Sequence, residues 1–395
     1  MPVLNTSPWL ADWPPKVEFP PLAGDISVDV AVVGGGMNGM LTAYALAKHG
    51  VSVALVEKSS IGSGESGYTT AFLTKVMDLS LVELTTRYGA QTARQIWEAG
   101  QWAIHRLEEI SIEESIACDL FRCEAMVFTQ DEAGEKMLQA EMAQAQQPGL
   151  KAEWMRNHVQ FQSKGHLSIP DQAKFHPRKF LTGLSKALEQ RGGQLFEKTK
   201  VTKWVQPAAG QGHQLVTPQG TVTAHQVVVC THLPQLTQDI WTPPVTSWQT
   251  YALEANGPSG ILPEALFWDT ESPYHYFRVD RQVDHDRIIL GGADHLMGQT
   301  PKQNPHQTLK NYLAKLFPEV RFTFSSLWGG QILETPDGLP CIGAITANKT
   351  VFVGTGFSGN GMTFSAVSAQ VNTHLILHGK HEWADVFDPL RFKST

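Results

Sequence analysis

Cysteine, net positive charge and long apolar runs are all scarce in this chain of 395 residues. The four cysteines are too few and too scattered for a disulfide scaffold, which predicts a reducing compartment. The 31 basic and 38 acidic side chains give a net charge of −7, so the chain as a whole does not attract nucleic acid or anionic lipid. We therefore do not expect a nucleic-acid-binding protein.

Signals for secretion or membrane insertion are also missing from the sequence. The first fifteen residues contain four prolines and no Lys or Arg, which excludes the pattern of a signal or transit peptide. The longest apolar stretch is broken by glycines and contains Asp29, Asn38 and Lys48, so it is a poor candidate for a membrane span. We expect a cytoplasmic protein.

The segment from residue 28 to residue 57 is the most informative part of the chain. An apolar run over 28–33, typical of a buried parallel strand, is followed by a G-x-G-x-x-G turn that opens a helix. The helix runs to about His49, and a second strand over 51–56 ends at Glu57. This order predicts a dinucleotide-binding unit, in which the glycines pass the pyrophosphate and the carboxylate meets a ribose.

A second glycine-rich junction lies near the end of the chain. A buried strand over 350–354 leads through GTGFSGNGM into a long helix that ends near His378. Because the start of a helix has free N–H groups and a partial positive charge, this junction suits a pyrophosphate or an anionic ring.

The chain resembles the D-amino-acid oxidase-like family of FAD-dependent oxidoreductases, and within it the flavin portion of a bacterial subgroup that carries a C-terminal Rieske domain. The resemblance is carried by PPLAGDISVDVAVVGGG at 20–36, GSGESGYTTAFLT at 62–74, FTQDEAGEKM at 128–137, FHPRKFLTGL at 175–184, DTESPYHYFR at 269–278, GGADHLMGQ at 291–299, DGLPCIG at 337–343 and GTGFSGNGM at 354–362. It implies an α/β fold, with a Rossmann-like FAD domain and an antiparallel-sheet substrate domain of the glutathione-reductase-2 type.

The expected domain boundaries follow from this resemblance and from a length that exceeds what one core supports. Residues 1–27 are expected to form an extended surface arm. The FAD domain is expected to be discontinuous, over 28–90, 150–235 and 335–390, and the substrate domain to combine 91–149 with 236–334.

The family implies FAD, and Tyr68 stands where some relatives have a histidine bonded to the flavin, so we expect a non-covalent cofactor. The residues expected to bind it are those of the opening turn, the end of the second strand, the loop after it, one strand position and the closing junction: Gly34, Gly36, Met37, Asn38, Gly39, Glu57, Lys58, Ser63, Gly64, Ser66, Gly67, Thr69, Thr70, Val201, Gly356, Phe357, Ser358, Gly359, Asn360, Gly361 and Met362.

The expected chemistry is oxidation of the C–N bond of an amino acid or a related amine by hydride transfer to the flavin. Relatives bind a substrate carboxylate with arginine, and a guanidinium suits this through two parallel hydrogen bonds, which favours Arg278. If the segment is extended, strand alternation places Tyr274 and Tyr276 on the same face as Arg278, which makes these three the candidate catalytic residues, and it places His275 on the opposite face. Trp328 and Gln331 are further candidates for the pocket wall, with core packing the preferred interpretation of Trp328.

Several alternatives remain open at this stage. The electron acceptor could be oxygen, a quinone or a redox protein, since no Rieske domain fits before Thr395 and the lone C-x-H of Cys230 and His232 is interpreted as coincidental. A flavin-containing subunit that uses its tryptophan-rich arm for assembly is a second hypothesis, and transfer-RNA modification is a third, disfavoured by the acidic balance. We expect no metal site, because His374, His378 and His381 lack an acidic partner.

Overall fold

The computed structural model describes residues 3–14, 19–146, 150–156, 161, 163–208 and 211–392. The helices are α1 (Pro8–Asp12), α2 (Met37–Lys48), α3 (Leu81–Glu113), α4 (Glu132–Ala145), α5 (Pro177–Gln190), α6 (Pro305–Leu316) and α7 (Gly361–His378). The strands are β1 (Ile26–Val33), β2 (Val53–Val56), β3 (Phe72–Leu73), β4 (Phe121–Thr129), β5 (Glu153–Met155), β6 (Gly165–Lys174), β7 (Gln194–Phe196), β8 (Lys203–Val205), β9 (His213–Thr217), β10 (Gly220–Val229), β11 (Thr246–Pro258), β12 (Leu266–Asp269), β13 (Tyr276–Arg281), β14 (His285–Leu296), β15 (Thr323–Glu334), β16 (Cys341–Ala344) and β17 (Val351–Thr355).

The first sheet has a parallel centre in the order β17, β10, β1, β2 and β7, with β16 added antiparallel at one edge. β1 and β2 are buried along most of their lengths because α2, α5 and α7 cover this sheet and pack against one another. The carboxyl ends of β1, β10 and β17 therefore meet at one edge of the sheet, which is where ligands bind in open parallel sheets. This confirms the predicted Rossmann-like domain.

The second sheet has the order β15, β11, β14, β13, β12, β4, β6 and β3. Its pairs are antiparallel except for β12 with β4. Helix α6 covers β11 and β14, and an aromatic and aliphatic cluster that includes Phe267, Phe277 and Leu290 fills the layer between them. The predicted antiparallel second sheet is confirmed.

Some segments lie in a different domain from the one that the sequence indicated. β3 and β6 join the second sheet, although both were assigned to the FAD domain. Conversely, α3 contains much of the segment assigned to the substrate domain, yet it packs against α7 beside the first sheet. Strand pairing brings together residues far apart in sequence, such as Phe72 with Lys174, and no local pattern reports it.

The N-terminal arm differs from the expected extended surface segment. Ser7 caps the short helix α1, and Trp9 is fully buried. Leu4 forms a bridge to β15 of the second sheet. The arm is therefore a strap between the domains, and Trp9 is not available as a contact for a partner protein; residues 1–2 and 15–18 lie outside the described residues. Across the described ranges, every helix is too short or too polar to cross a lipid bilayer.

Candidate active site

A cavity of about 1200 Å³ lies between the two sheets. Most of the predicted cofactor residues line it, together with one of the three predicted catalytic residues: Gly34, Gly36, Met37, Asn38, Glu57, Lys58, Ser63, Gly64, Ser66, Thr69, Thr70, Val201, Tyr276, Gly356, Phe357, Ser358, Gly359, Gly361 and Met362. The predicted residues that do not line it are Gly39, Gly67, Asn360, Tyr274 and Arg278.

The opening glycine turn forms one end of the cavity. Gly34 has a φ of +109°, and a Cβ there would lie 2.9 Å from the carbonyl oxygen of Cys230, so the position requires glycine. Gly36 caps α2, which leaves the first N–H groups of the helix near the cavity. Gly39 has a packing role instead, because its Cβ would lie 1.8 Å from the carbonyl oxygen of Gly34.

Glu57 follows β2 beside this turn. Its Oε2 accepts a hydrogen bond from the Gly35 N–H at 2.8 Å, and its Oε1 accepts one from the Ser59 N–H at 2.7 Å. The carboxylate therefore shapes the glycine turn as well as facing the cavity. Lys58 and Val201 also line the cavity; Val201 is buried, but it lies in the connection between β7 and β8 and not on a strand as expected.

The loop between β2 and β3 covers the middle of the cavity. The Met37 N–H donates to Ser66 Oγ at 2.9 Å, which joins the loop to the start of α2. Gly67 allows a close crossing, since its Cβ would lie 2.7 Å from the carbonyl oxygen of Gly62. Trp9 of the arm donates from Nε1 to the carbonyl of Thr69 at 2.7 Å, so the strap holds the loop from outside.

The closing glycine junction meets the opening one directly. Asn38 Nδ2, in the first turn of α2, donates to the carbonyl of Gly354 at the end of β17, at 3.0 Å. Asn360 anchors the junction from behind, accepting from the Asp78 N–H at 3.2 Å and donating to the carbonyl of Val76 at 2.9 Å. Gly356 has a φ of +71°. The two junctions thus face one cavity, as the sequence predicted.

The second sheet supplies the opposite wall through aromatic side chains. Tyr251 and Tyr276 line the cavity from β11 and β13, and Trp328 lines it from β15. Trp328 Nε1 donates to the carbonyl of Tyr68 at 2.8 Å, so its buried ring closes the cavity beside the covering loop. Burial, reinforced by the nearby Asp294, raises the pKa of Tyr276, which keeps this phenol protonated.

Arg278 is placed differently from its predicted role. Its Nε and Nη2 donate to the two carboxylate oxygens of Asp280 at 3.0 and 2.9 Å, and its Nη1 donates to the carbonyls of Ala71 and Phe175 at 2.8 and 3.1 Å. The side chain is buried, and its guanidinium carbon lies 4.9 Å from the ring centre of Trp9. With its donors engaged in this way, Arg278 ties β13 to the chain beside β3 and β6, and it is not part of the cavity lining.

The two neighbours of Tyr276 also lie outside the cavity lining. Tyr274 donates from its hydroxyl to Asp78 Oδ1 at 3.3 Å, and its ring centre lies 5.5 Å from that of Tyr276. His275 lies just before β13, where it is paired with Asp269 at 3.3 Å and stacks on Tyr312 of α6.

Sequence reasoning missed the segment after β10. Cys230, Thr231, His232 and Leu233 line the cavity, and burial lowers the pKa of His232 to about 4. The signal was present, because β10 is a third parallel strand whose carboxyl end reaches the same sheet edge as β1. Further lining residues that the sequence did not indicate are Thr199, Lys200, Gln235, Leu236, Gln238, Thr250, Ala252, Gly330, Ile332 and Leu333.

One group of potential metal ligands occurs within the described residues. Single ligand atoms of Asp269, Glu271 and His275 lie within 4.8 Å of one another. Asp269 already accepts hydrogen bonds from the hydroxyl of Tyr312 at 2.8 Å and from two backbone N–H groups. This hydrogen-bond network explains why the three side chains lie close together. The His374 ring lies 5.3 Å from that of His378 and 5.1 Å from that of His381.

A parallel sheet with two glycine junctions, joined to an antiparallel sheet across a large cavity, defines an oxidoreductase that binds a dinucleotide. The family described as FAD dependent oxidoreductase, DAO, matches residues 29–375. The chain belongs to this family, and its cofactor is FAD.

The chain is similar to individual proteins at low identity. The chain is 28% identical over 378 residues to the "Putative Rieske 2Fe-2S iron-sulfur protein YhfW" of Bacillus subtilis, covering 95% of this chain and 73% of that protein. It is 24% identical over 398 residues to the "Gamma-glutamylputrescine oxidoreductase" of Escherichia coli, covering 93% and 88%. Among solved structures, the glycine oxidase of Geobacillus kaustophilus superposes with a TM-score of 0.78 at 20% identity, covering 93% and 100%.

The residues present fit FAD on structural grounds. The cavity is continuous from Glu57 and Val201, past the opening turn, to the closing junction at Gly356–Met362. At Gly36 a Cβ would lie 3.1 Å from Ser66 Oγ, and at Gly359 it would lie 3.0 Å from Asp78 Oδ1, so both positions along the cavity leave little room for a side chain.

Proposed function

We propose that this protein oxidises the C–N bond of an amine or amino acid. The observation that carries the proposal is the single cavity that both glycine junctions share with the aromatic wall of the second sheet. A substrate between Tyr276 and the closing junction would lie against the end of the cavity expected to hold the flavin ring.

The reaction balances as a two-electron oxidation. The substrate carbon loses a hydride and its nitrogen a proton, so that a C–N bond becomes C=N, and water then releases a carbonyl compound and an amine or ammonia. When bound, FAD supplies the hydride acceptor at N5. The start of α7 supports this step, because its N–H groups and helix dipole favour negative charge beside Gly361.

The protein groups in the cavity bind and orient the substrate. Trp328 and Phe357 give apolar surface that excludes water, and Tyr276 offers a protonated hydroxyl close to Thr70 and Thr250. Orientation of the reacting bond and exclusion of water are the contributions expected of the protein when the cofactor carries the chemistry.

The electron acceptor is part of the proposal. With oxygen, two electrons and two protons give hydrogen peroxide; with a quinone or a separate redox protein, the same first half-reaction makes a dehydrogenase. The similarity to a protein named for a Rieske iron–sulfur centre supports the inclusion of a redox protein among the candidates. We also propose non-covalent FAD, since Tyr68 faces the cavity where some relatives have histidine.

Anaerobic mixing of the yellow holoenzyme with a panel of amines and amino acids tests the proposal. We expect at least one compound to bleach the flavin absorption band, and denaturation in acid to release the flavin into solution. A holoenzyme that no member of a broad panel reduces would contradict the proposed activity. Repeating the reduction in air with peroxide detection distinguishes an oxidase from a dehydrogenase.

A further inference from the structure

We propose that the substrate is recognised through a cationic amino group and carries no carboxylate beside the reacting carbon. The inference rests on the proposed function and narrows its substrate class. It follows from the charges and aromatic rings around the end of the cavity that faces the closing junction.

Arginine and lysine are missing from this end of the cavity within the described residues. The cationic side chains that line the cavity are Lys58 and Lys200, and both belong to the wall that holds Glu57 and Val201 at the opposite end. A carboxylate bound near Tyr276 would therefore meet no guanidinium or ammonium group, and an unpaired charge in a confined site is costly.

Three cationic side chains of the second sheet, on β6, β13 and β14, are paired with one carboxylate. Arg278, Arg287 and Lys174 all pair with Asp280, at 2.8, 3.1 and 2.9 Å. Freeing one of them for a substrate would leave a buried carboxylate with less compensation. The imidazoles of His295 and His306 contact Tyr251 and are not part of the described cavity lining.

Two carboxylates, in contrast, lie at this end of the cavity, one in its lining and one behind it. Glu65 lines it, and its Oε2 accepts a hydrogen bond from the Gln331 N–H at 2.9 Å. Asp78 lies directly behind the cavity wall, where its Oδ2 accepts from the Gly359 N–H at 2.8 Å. Burial raises the pKa of each carboxyl, so a cation bound nearby would stabilise the charged form of both acids.

The walls between these carboxylates are aromatic. Tyr68, Tyr251, Tyr276, Trp328 and Phe357 all line this part of the cavity. Ring faces attract organic cations, and clusters of them recognise alkylated ammonium groups in particular. The aromatic residues and the carboxylates are independent features, on different elements, and both favour a cation.

Matched pairs of compounds test the inference directly. The oxidised holoenzyme is titrated with benzylamine and phenylglycine, and with butane-1,4-diamine and ornithine, and binding is read from the shift in the flavin absorption spectrum. We expect the amine of each pair to bind at least about tenfold more tightly than its carboxylated partner. Equal or tighter binding of the carboxylated compounds would overturn the inference and leave the proposed oxidation intact.

Variants at two separate elements locate the effect. Asp78→Asn and Glu65→Gln keep the size of the side chain and remove its charge, and each is expected to reduce the preference for the amine about tenfold. Asp284→Asn, which makes the same change at an exposed position, is the control and should keep the wild-type preference. Unchanged preference in both cavity variants would also overturn the inference. The proposed function itself fails on a different result, which is that no member of the broad amine panel reduces the flavin.

Discussion

Arg278 and Asp280 lie two residues apart on one face of β13 and form a bidentate ion pair, with Nε–Oδ1 and Nη2–Oδ2 distances of 3.0 and 2.9 Å. Because Arg278 also donates to the carbonyls of Ala71 and Phe175, this pair links β13 to the chain that adjoins β3 and β6, at the far edge of the same sheet. The position that the sequence marked for substrate binding thus stabilises the second sheet.

Replacing Arg278 with methionine should therefore destabilise the fold by about 3–5 kcal/mol, because Asp280 would lose its closest partner in a buried site. Denaturant unfolding of the holoenzyme measures the change. The double variant Arg278→Met with Asp280→Asn should recover part of the stability. Wild-type stability with a raised substrate KM would instead restore the substrate role for Arg278.

Gly39→Ala should impair both the fold and cofactor binding. Its Cβ would overlap the carbonyl of Gly34, which forces α2 away from the turn, at a cost of at least about 2 kcal/mol. Gly64→Ala is a contrasting variant, since its Cβ would meet no protein atom within 4 Å although the residue lines the cavity. We expect Gly64→Ala to leave the stability of the apoprotein unchanged. Equal apoprotein stability in both variants would contradict this account.

Glu57→Gln should weaken FAD binding about tenfold. Glutamine retains one acceptor oxygen, so it can serve the Gly35 N–H or the Ser59 N–H but not both, and it removes the negative charge expected to meet the ribose. Fluorescence titration of the apoprotein with FAD measures the effect. An unchanged dissociation constant would show that the carboxylate is needed neither for the turn nor for the cofactor.

Trp9 offers a graded test of the strap. Trp9→Phe removes the hydrogen bond to Thr69 and should cost about 1 kcal/mol, whereas Trp9→Ala also empties a fully buried site and should cost about 3–5 kcal/mol. Because the strap holds the loop that covers the cavity, Trp9→Ala should also release FAD faster on dilution. If Trp9→Ala unfolds faster but releases FAD at the wild-type rate, the strap does not contribute to retention of the cofactor.

His176 predicts a pH dependence of stability. Burial, with the nearby Lys179, lowers the pKa of His176 to about 4, below the unfolded value of about 6.5. The folded protein therefore favours the neutral ring. The contribution of His176 to the free energy of unfolding, roughly 3 kcal/mol, is complete above about pH 6.5 and is lost as the pH falls toward 4. His176→Asn, which retains a helix-capping acceptor for Lys179, should flatten this slope in urea unfolding, while His225→Asn at an exposed position should not.

Local features made much of the site predictable. The glycine turns, Glu57 and the closing junction could be predicted because they depend on short-range geometry. Glycine spacing and the order of strand and helix can be identified directly in the sequence. The aromatic wall was only partly predictable, since Tyr251 and Trp328 face the cavity through the long-range pairing of β11 with β15. The burial of Trp9 and the place of β6 in the second sheet could not be predicted for the same reason, because both depend on contacts between residues that are far apart in the sequence.

The error at Arg278 had a detectable signal. Strand alternation correctly placed Arg278 with Tyr276, but the same rule places Asp280 on that face, next to the guanidinium. A carboxylate two residues away along a strand is a ready partner for an arginine. The sequence alone therefore favours a structural role for Arg278 once Asp280 is taken as its partner.

A crystal structure of the protein with FAD bound tests the central claim most directly. We expect one FAD molecule to span the cavity, with its pyrophosphate at Gly34 and Gly36 and its ring system beside Gly356–Met362, facing Tyr276. A flavin bound outside this cavity, or one that contacts only one of the two glycine junctions, would contradict the account.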